Sequence, residues 1–383
     1  YSMIASGCFF FISKNCFISG VSTIFFSATT INFNNTKLIY FFLSAKSLTL
    51  YVSMDIAKTD IRLSVVVPFY NAERHIGDCV HSLMRQSLSG GIEFIFVNDR
   101  STDASEAVLQ AVVSSYPQRR DQVTVLRNDI NRGSAYSRQR GVDAASGEFV
   151  IHCDADDWVD AEMYGTMLRV ADSTGADVVC TPYYLEKGKG RCDTVGFPSL
   201  DYPQLNDMPL DTLHCSLCNK IIRRSVIVDN GIRFFEGVNC WEDLGLWFRV
   251  AVATRRIVIY NRPFYHYRKE TTDSLSTERM DRVLADHLAF VDGMDRWFAS
   301  MPPAYAERYS QFILFARFTA KIKMLRGSHR DIVRWRSTYP ETNVHIWSFS
   351  NIPYVYRLCF LLADRLPLWM VKAAIAVARI FRI

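Results

Sequence analysis

From Leu63 onward, short apolar runs alternate with stretches in which apolar positions recur every three or four residues. Leu63–Val67 is a β-branched run closed by Pro68-Phe69-Tyr70-Asn71, and Ile76, Val80, Leu83 and Met84 then mark one face of a helix over about 72–86. The unit repeats as a strand Ile92–Val97, a polar turn Asn98–Asp103 rich in capping residues, and a helix Ala104–Ser115. Val123–Arg127 is a third strand, Asn131-Arg132-Gly133-Ser134 opens a third helix that reaches about Ala145, and Gly147 releases the chain into a fourth strand, Glu148–Cys153. This alternation predicts an α/β fold with a mostly parallel sheet flanked by helices, which binds ligands at the carboxyl ends of its strands. Asn71, Asp99, Asp103, Asp154, Asp156 and Asp157 all follow strands and so share one rim.

The two ends read differently. Asp281–Arg336 carries helical periodicity, with Ala289, Phe290, Phe312, Phe315 and Phe318 as packing positions and no assignable chemistry. Ile352–Ile383 is apolar but punctuated by Arg357, Asp364, Arg365, Lys372, Arg379 and Arg382, with Pro353 and Pro367 placed to start two helices. Neither apolar run reaches the roughly 20 residues that span a bilayer, so an interfacial amphipathic helix is expected, and a helix packed on the domain is the alternative. Residues 1–52 are rich in Phe, Ile, Ser, Asn and Thr, lack acidic residues and hold neither period for long. They fit neither a signal peptide nor an anchor, and Met54 is expected to be the true start. The expected organisation is a non-native or disordered extension over 1–53, a catalytic domain over 54–270, a helical subdomain over 271–350, and amphipathic membrane-interface helices over 351–383.

A composition of 49% hydrophobic, 22% charged and 13% aromatic residues is that of a globular protein, and a net charge of +5 suits an anionic ligand or lipid head group without pointing to nucleic acid. Ten scattered cysteines argue against a secreted disulfide scaffold, and Cys215-Ser216-Leu217-Cys218 lacks the second ligand pair of a zinc finger. No Gly-x-Gly-x-x-Gly follows a strand and no phosphate loop is present, which weighs against the two common nucleotide alternatives.

The densest chemistry is Asp154-Ala155-Asp156-Asp157. Carboxylates crowded behind a buried strand repel one another, a cost that a hard divalent cation such as Mg or Mn offsets; the alternative is a solvated acidic turn capping a helix.

At this point the residues resemble the inverting glycosyltransferase family 2, with the GT-A fold and a helical C-terminal extension. The resemblance rests on Val65–Asn71, Phe96–Asp103, Asn131-Arg132-Gly133 with Ser137-Arg138, Gly147–Asp157, Cys218-Asn219-Lys220 and Trp241-Glu242-Asp243, in the family's order, over about Leu63–Arg268. It implies that Pro68, Phe69, Tyr70 and Asp99 cradle the base of a nucleotide sugar, that Glu73 approaches the nucleotide, and that Arg138 supports the base or diphosphate. Asp154 would lie near the ribose and Asp156 on the metal, with Asp154 assisting, Asp157 supporting them and His266 a further possible ligand. His266 on an aromatic strand also reads as a packed residue. Asp243 would be the general base and Glu242 would orient it or the acceptor, although acids are also favourable at the start of the helix predicted over Leu244–Ala253. The implied reaction moves a hexose or N-acetylhexosamine from a UDP-sugar to a glycan or lipid-linked acceptor, at the cytoplasmic face of the cell membrane. The alternatives are a nucleotidyltransferase on a similar fold, which lacks its Gly-rich basic loop here, and a non-catalytic membrane-associated protein that binds nucleotide sugars.

Overall fold

Leu63–Phe69 forms the central strand β1, buried at every position except Pro68, as a strand covered on both faces requires. In the computed structural model it is followed by α1 (Ile76–Met84), β2 (Ile92–Asn98), α2 (Ser105–Ser114), β3 (Val123–Arg127), α3 (Ser134–Ala144) and β4 (Phe149–His152). The structure describes residues 61–188, 190–197, 215–269, 280–322, 324, 332–349, 352 and 354–371, and strand backbone alone within the first 60 residues. After β4 come β5 (Trp158–Val159), α4 (Met163–Thr174), β6 (Val178–Cys180), β7 (Tyr183–Glu186), β8 (Cys192–Val195), β9 (Lys220–Arg223), α5 (Arg224–Asp229), α6 (Glu242–Ala253), β10 (Ile257–Ile259) and β11 (Tyr265–Arg268).

The main sheet runs in the order β10-β6-β9-β4-β1-β2-β3. β1 is parallel to β2 and β4, and β2 to β3, whereas β9 is antiparallel to both β4 and β6. Reversal of β9 has a direct effect on the rim: its amino end, preceded by Cys218 and Asn219, points where its antiparallel neighbours β4 and β6 present their carboxyl ends. A smaller sheet, β5-β11-β7-β8, pairs Trp158 with His266 and so draws the segment after the acidic cluster onto β11. One core cluster joins Val65, Val67, Phe94 and Phe96 to α1, α2 and α4, and a second joins Val66, Ile95 and Val97 to α3, α6 and the helices beyond. Alternate side chains of β1 and β2 divide between the two, the arrangement of a sheet layered by helices on both faces.

The sequence reading of four strands alternating with helices is met closely, with one shift. The predicted first helix begins at Ala72, but the observed one begins at Ile76, because the backbone over 71–75 is spent in the turn that meets the loop after β2.

The C-terminal part comprises α7 (Met280–Ala299), α8 (Pro303–Arg308), α9 (Ser310–Ile322), α10 (Ile332–Ser337) and α11 (Tyr354–Arg365). Phe290, Phe312 and Phe318 are buried as expected and Phe315 is half-buried, but Ala289 is exposed. Pro367 precedes helical backbone over 368–371, while the expected amphipathic stretch over 372–383 lies outside the described residues. No helix among the described residues is long and apolar enough to cross a membrane. Residues 1–59 form a separate unit, in which Phe26–Phe33, Thr36–Leu43 and Thr49–Asp55 pair as an antiparallel meander. Met54 falls inside the last of these strands, paired with Lys37.

Candidate active site

The rim is assembled by turns that cross-brace neighbouring strands. Asn71 and Arg100, directly after β1 and β2, have left-handed backbone with φ of 46° and 65°, an unusual conformation for residues with side chains. Asn71 offsets that cost by accepting a hydrogen bond from the Thr102 N–H at 2.8 Å. The Glu73 N–H donates to Asp103 and the Ala104 N–H donates back to Glu73, so Glu73 closes the start of α2 instead of pointing free toward a nucleotide. Phe69 is also reassigned: it is 3% exposed, a core side chain under the rim, whereas Tyr70 beside it is 47% exposed and free to stack on a base. Pro68 is half-buried between them. Asp99 is buried and accepts from the N–H groups of Arg132 and Gly133 and from Asn128 Nδ2 at 2.9, 2.7 and 2.7 Å. It shapes the loop that leads into α3.

The acidic cluster is held from β11. Tyr265 Oη accepts from the Asp154 N–H at 3.1 Å and donates to Asp157 Oδ2 at 2.6 Å, and the Arg268 N–H donates to Asp157 Oδ1 at 2.7 Å. Asp157 is thus a buried anchor, with a pKa pushed well up by burial and then by Asp154 and Asp156. Asp154 receives Arg138 Nη2 at 2.6 Å on one oxygen and the Cys218 thiol at 3.1 Å on the other. Asp156 is exposed and forms no side-chain ion pair among the described residues; its pKa is raised by its low-polarity surroundings and by Asp154.

On the opposite side, Glu242 and Asp243 occupy the first turn of α6, whose dipole favours anions. Burial outweighs that help. The Glu242 carboxyl is raised to about 7 by burial and then by the adjacent Asp243, and burial also raises Asp243, against the pull of Arg138. Ser134 Oγ donates to Glu242 at 3.1 Å, and the Leu244 N–H donates to Asp243 at 2.7 Å. Arg138, only 7% exposed, lies between the two acidic groups, with Nη2 on Asp154 and Nε 3.6 Å from Glu242. Burial alone would lower its pKa, but Asp154, Cys218 and Glu242 together drive it well above the ordinary value.

Arg138 thus meets Asp154 and Glu242, and the buried Lys220 acts on Asp243 as a second cation; the remaining carboxylate of Asp156 suits a divalent cation. Among the described residues no trio of His, Cys, Asp or Glu encloses a metal. The donor set fits an ion that takes one or two carboxylates from the protein and completes its shell with phosphate oxygens and water, as magnesium does. Asp156 is the carboxylate with room for it. The possible ligand His266 is otherwise engaged: its nitrogens meet Glu186 at 2.8 Å and Asp160 at 3.2 Å, and its ring is stacked between Trp158 and Tyr184.

Tyr265, Arg268 and Cys218 lie in segments that the sequence reading singled out without giving these residues a role in the acidic cluster. The strand period could have raised Tyr265, since residues 265 and 267 share the face opposite His266. Nothing local marks Ser134 or Asn239, which enter through contacts across more than 100 positions of sequence.

Residues 64–230 match the family model described as glycosyl transferase family 2. EpsH of Bacillus subtilis, provisionally described as a glycosyltransferase, is 30% identical over 216 residues, covering 54% of this chain and 60% of its own. The uncharacterized glycosyltransferase YibD of Escherichia coli is 30% identical over 192 residues, covering 46% of this chain and 53% of its own. The chain thus spans little more than half the length of these relatives. Among solved structures, residues 1–349 of TarS from S. aureus in complex with UDP-GlcNAc superpose with a TM-score of 0.52 at 19% identity, over 79% of this chain and 87% of that one, a likeness of GT-A fold.

Proposed function

We propose that the chain, whose residues 64–230 match the glycosyl transferase family 2 model, is an inverting transferase that moves a hexose or N-acetylhexosamine from a UDP-sugar to a hydroxyl of a glycan or lipid-linked acceptor. The observation that carries this reading is the buried Arg138 bridge, which holds the donor-side Asp154 and the acceptor-side Glu242 in one fixed relation. UDP-GlcNAc in the related TarS fold supports the choice of donor.

In this reading Tyr70 stacks on the base and Asp154 is oriented toward the ribose. Asp156, with Asp154 behind it, would hold a magnesium or manganese ion that offsets charge on the departing diphosphate. Asp243 accepts the proton of the acceptor hydroxyl as its oxygen bonds to the anomeric carbon, while the bond from that carbon to the diphosphate oxygen breaks with its electron pair leaving on the nucleotide. Attack from the face opposite the leaving group inverts the centre. Burial keeps Asp243 a better base than an exposed carboxylate, and ionised Glu242 beside it orients the acceptor by accepting a hydrogen bond from it.

The test is release of nucleoside diphosphate from UDP-, GDP- and TDP-sugars with Mn or Mg. Turnover should need the metal and fall about a hundredfold or more in Asp156→Ala, the scale of removing one transition-state charge stabiliser. Turnover unaffected by chelator and by that substitution would remove the metal from the mechanism.

The proposed site of action is the cytoplasmic membrane surface. Tyr354, Leu358, Leu362 and Trp369 are exposed at 63, 39, 43 and 70%, followed by the basic residues Lys372, Arg379 and Arg382. The protein should sediment with vesicles containing anionic phosphatidylglycerol, and Leu362→Glu with Trp369→Glu should release it; equal recovery of both proteins with the vesicles would remove the membrane from the proposal.

A further inference from the structure

The turn that carries Glu242 and Asp243 does not hold itself. Trp241 has left-handed backbone with φ of 70°, a conformation a tryptophan adopts only when its surroundings impose it, and its carbonyl accepts the first helical hydrogen bond of α6, from Gly245. On the donor side, Asn239 Oδ1 accepts from the Ala135 N–H at 3.2 Å. Gly133 packs so close that a Cβ there would come within 2.1 Å of that Asn239 oxygen.

On the other side the contacts come from α7, in the helical extension. The Asn239 N–H donates to Asp286 Oδ2 at 3.1 Å, and the Cys240 N–H donates to the same carboxylate. Cys240 Sγ lies 3.3 Å from His287 Nε2. The Trp241 ring stacks on the His287 ring at 3.7 Å, with 16° between planes, and meets the Phe290 edge at 5.2 Å. Asp286 and His287 are 9% and 2% exposed, so these contacts are made out of water, where a backbone N–H without its acceptor is costly. Three consecutive residues are thus held by two neighbouring side chains of one helix, Asp286 on residues 239 and 240 and His287 on residues 240 and 241.

We propose that Asp286 and His287 are positioning residues for the transfer reaction, fixing residues 239–241 so that Asp243 and Glu242 face the donor. The helical extension is then a working part of the active site and not an appended scaffold. The proposal rests on the assignment of Asp243 as the base.

The test uses the full chain and UDP release from UDP-N-acetylglucosamine with Mn, comparing Asp286→Ala, His287→Ala, His287→Phe and Asp243→Asn, with melting temperatures recorded for each. Asp286→Ala and His287→Ala should lose about ten- to a hundredfold in kcat with KM for the donor within about twofold, the signature of a misplaced group and not of a lost binding contact. His287→Phe keeps a ring under Trp241 and should recover to within about threefold of the native kcat, which a general loss of stability would not do. Native kcat in both alanine variants, alongside loss in Asp243→Asn, overturns the positioning role alone. Equal loss in His287→Phe and His287→Ala overturns the part assigned to the stacked ring, and full turnover in Asp243→Asn overturns the base assignment beneath the whole proposal.

Discussion

Asp243→Asn is expected to lower kcat by about a hundred- to ten-thousandfold while leaving donor affinity in place, because the amide keeps the shape and cannot take a proton. A second expectation sets it apart from damage to the fold. In the native protein Asp243 is the second cause, after burial, of the rise of Glu242 to about 7. Removing that charge lets Glu242 ionise at lower pH, so the folded state loses less stability as pH rises through that range. A carboxyl whose folded pKa is raised contributes stability below its unfolded value that is lost as pH climbs through the folded one. The variant should therefore melt no lower than the native protein at pH 8, although nearly inactive. In the native enzyme, activity should fall on acidification through the range near 7 as the Glu242–Asp243 pair takes up a proton. A variant with a third or more of native turnover, or an activity flat from pH 8 to pH 6, would contradict the assignment.

Arg138→Met should have the largest effect on stability, about 3–5 kcal/mol, the cost of stranding buried carboxylates by removing their partner. The side chain is 9% exposed and faces Asp154 and Glu242, so solvent screening gives little relief. The deficit should itself depend on pH. Arg138 holds the Glu242 pKa down, so its loss raises that pKa further, and by the same sign rule the penalty is smallest below the unfolded carboxyl value and grows as pH rises through neutrality. Denaturant midpoints at pH 5 and pH 8 should diverge more in the variant than in the native protein. A variant with the native midpoint at pH 8 would show that the bridge carries no net stabilisation.

The layered α/β core was legible because each strand and helix there carries its own period. Leu63–Phe69, Ile92–Asn98 and Val123–Arg127 were found to within two residues. The start of α1 was misplaced because its first turn is given up to a contact with Asp103, 30 residues away, which no local pattern records. Asp154, Asp156 and Asp157 stand out by their spacing and Glu242 and Asp243 through the resemblance, and the fold brings Asp154 and Glu242 together on Arg138. Sequence could not say that Phe69 faces inward, that Glu73 closes a helix, or that His266 is shared between two carboxylates, since each depends on which neighbour the fold supplies. Tyr265 joins the acidic cluster only because β5 and β11 pair, and that pairing spans more than 100 residues. Helix α7 was recognised as a helix, and nothing in its composition announces that two of its side chains hold the turn before α6.

The Arg138 bridge also bears on how such enzymes can be recombined. The matched family segment ends at residue 230, and a shuffling event with a junction there would look harmless by homology. Yet Arg138 lies before that junction and Glu242 after it, and Asn239 seats against Gly133 across the same line. A hybrid that took its first part from one parent and its remainder from another would inherit a buried cation from one lineage and the carboxylate that balances it from the other. Exchange is then compatible with folding only between parents that agree at both ends of the bridge, so a junction at residue 230 would have to carry both partners of the buried charge pair from one parent.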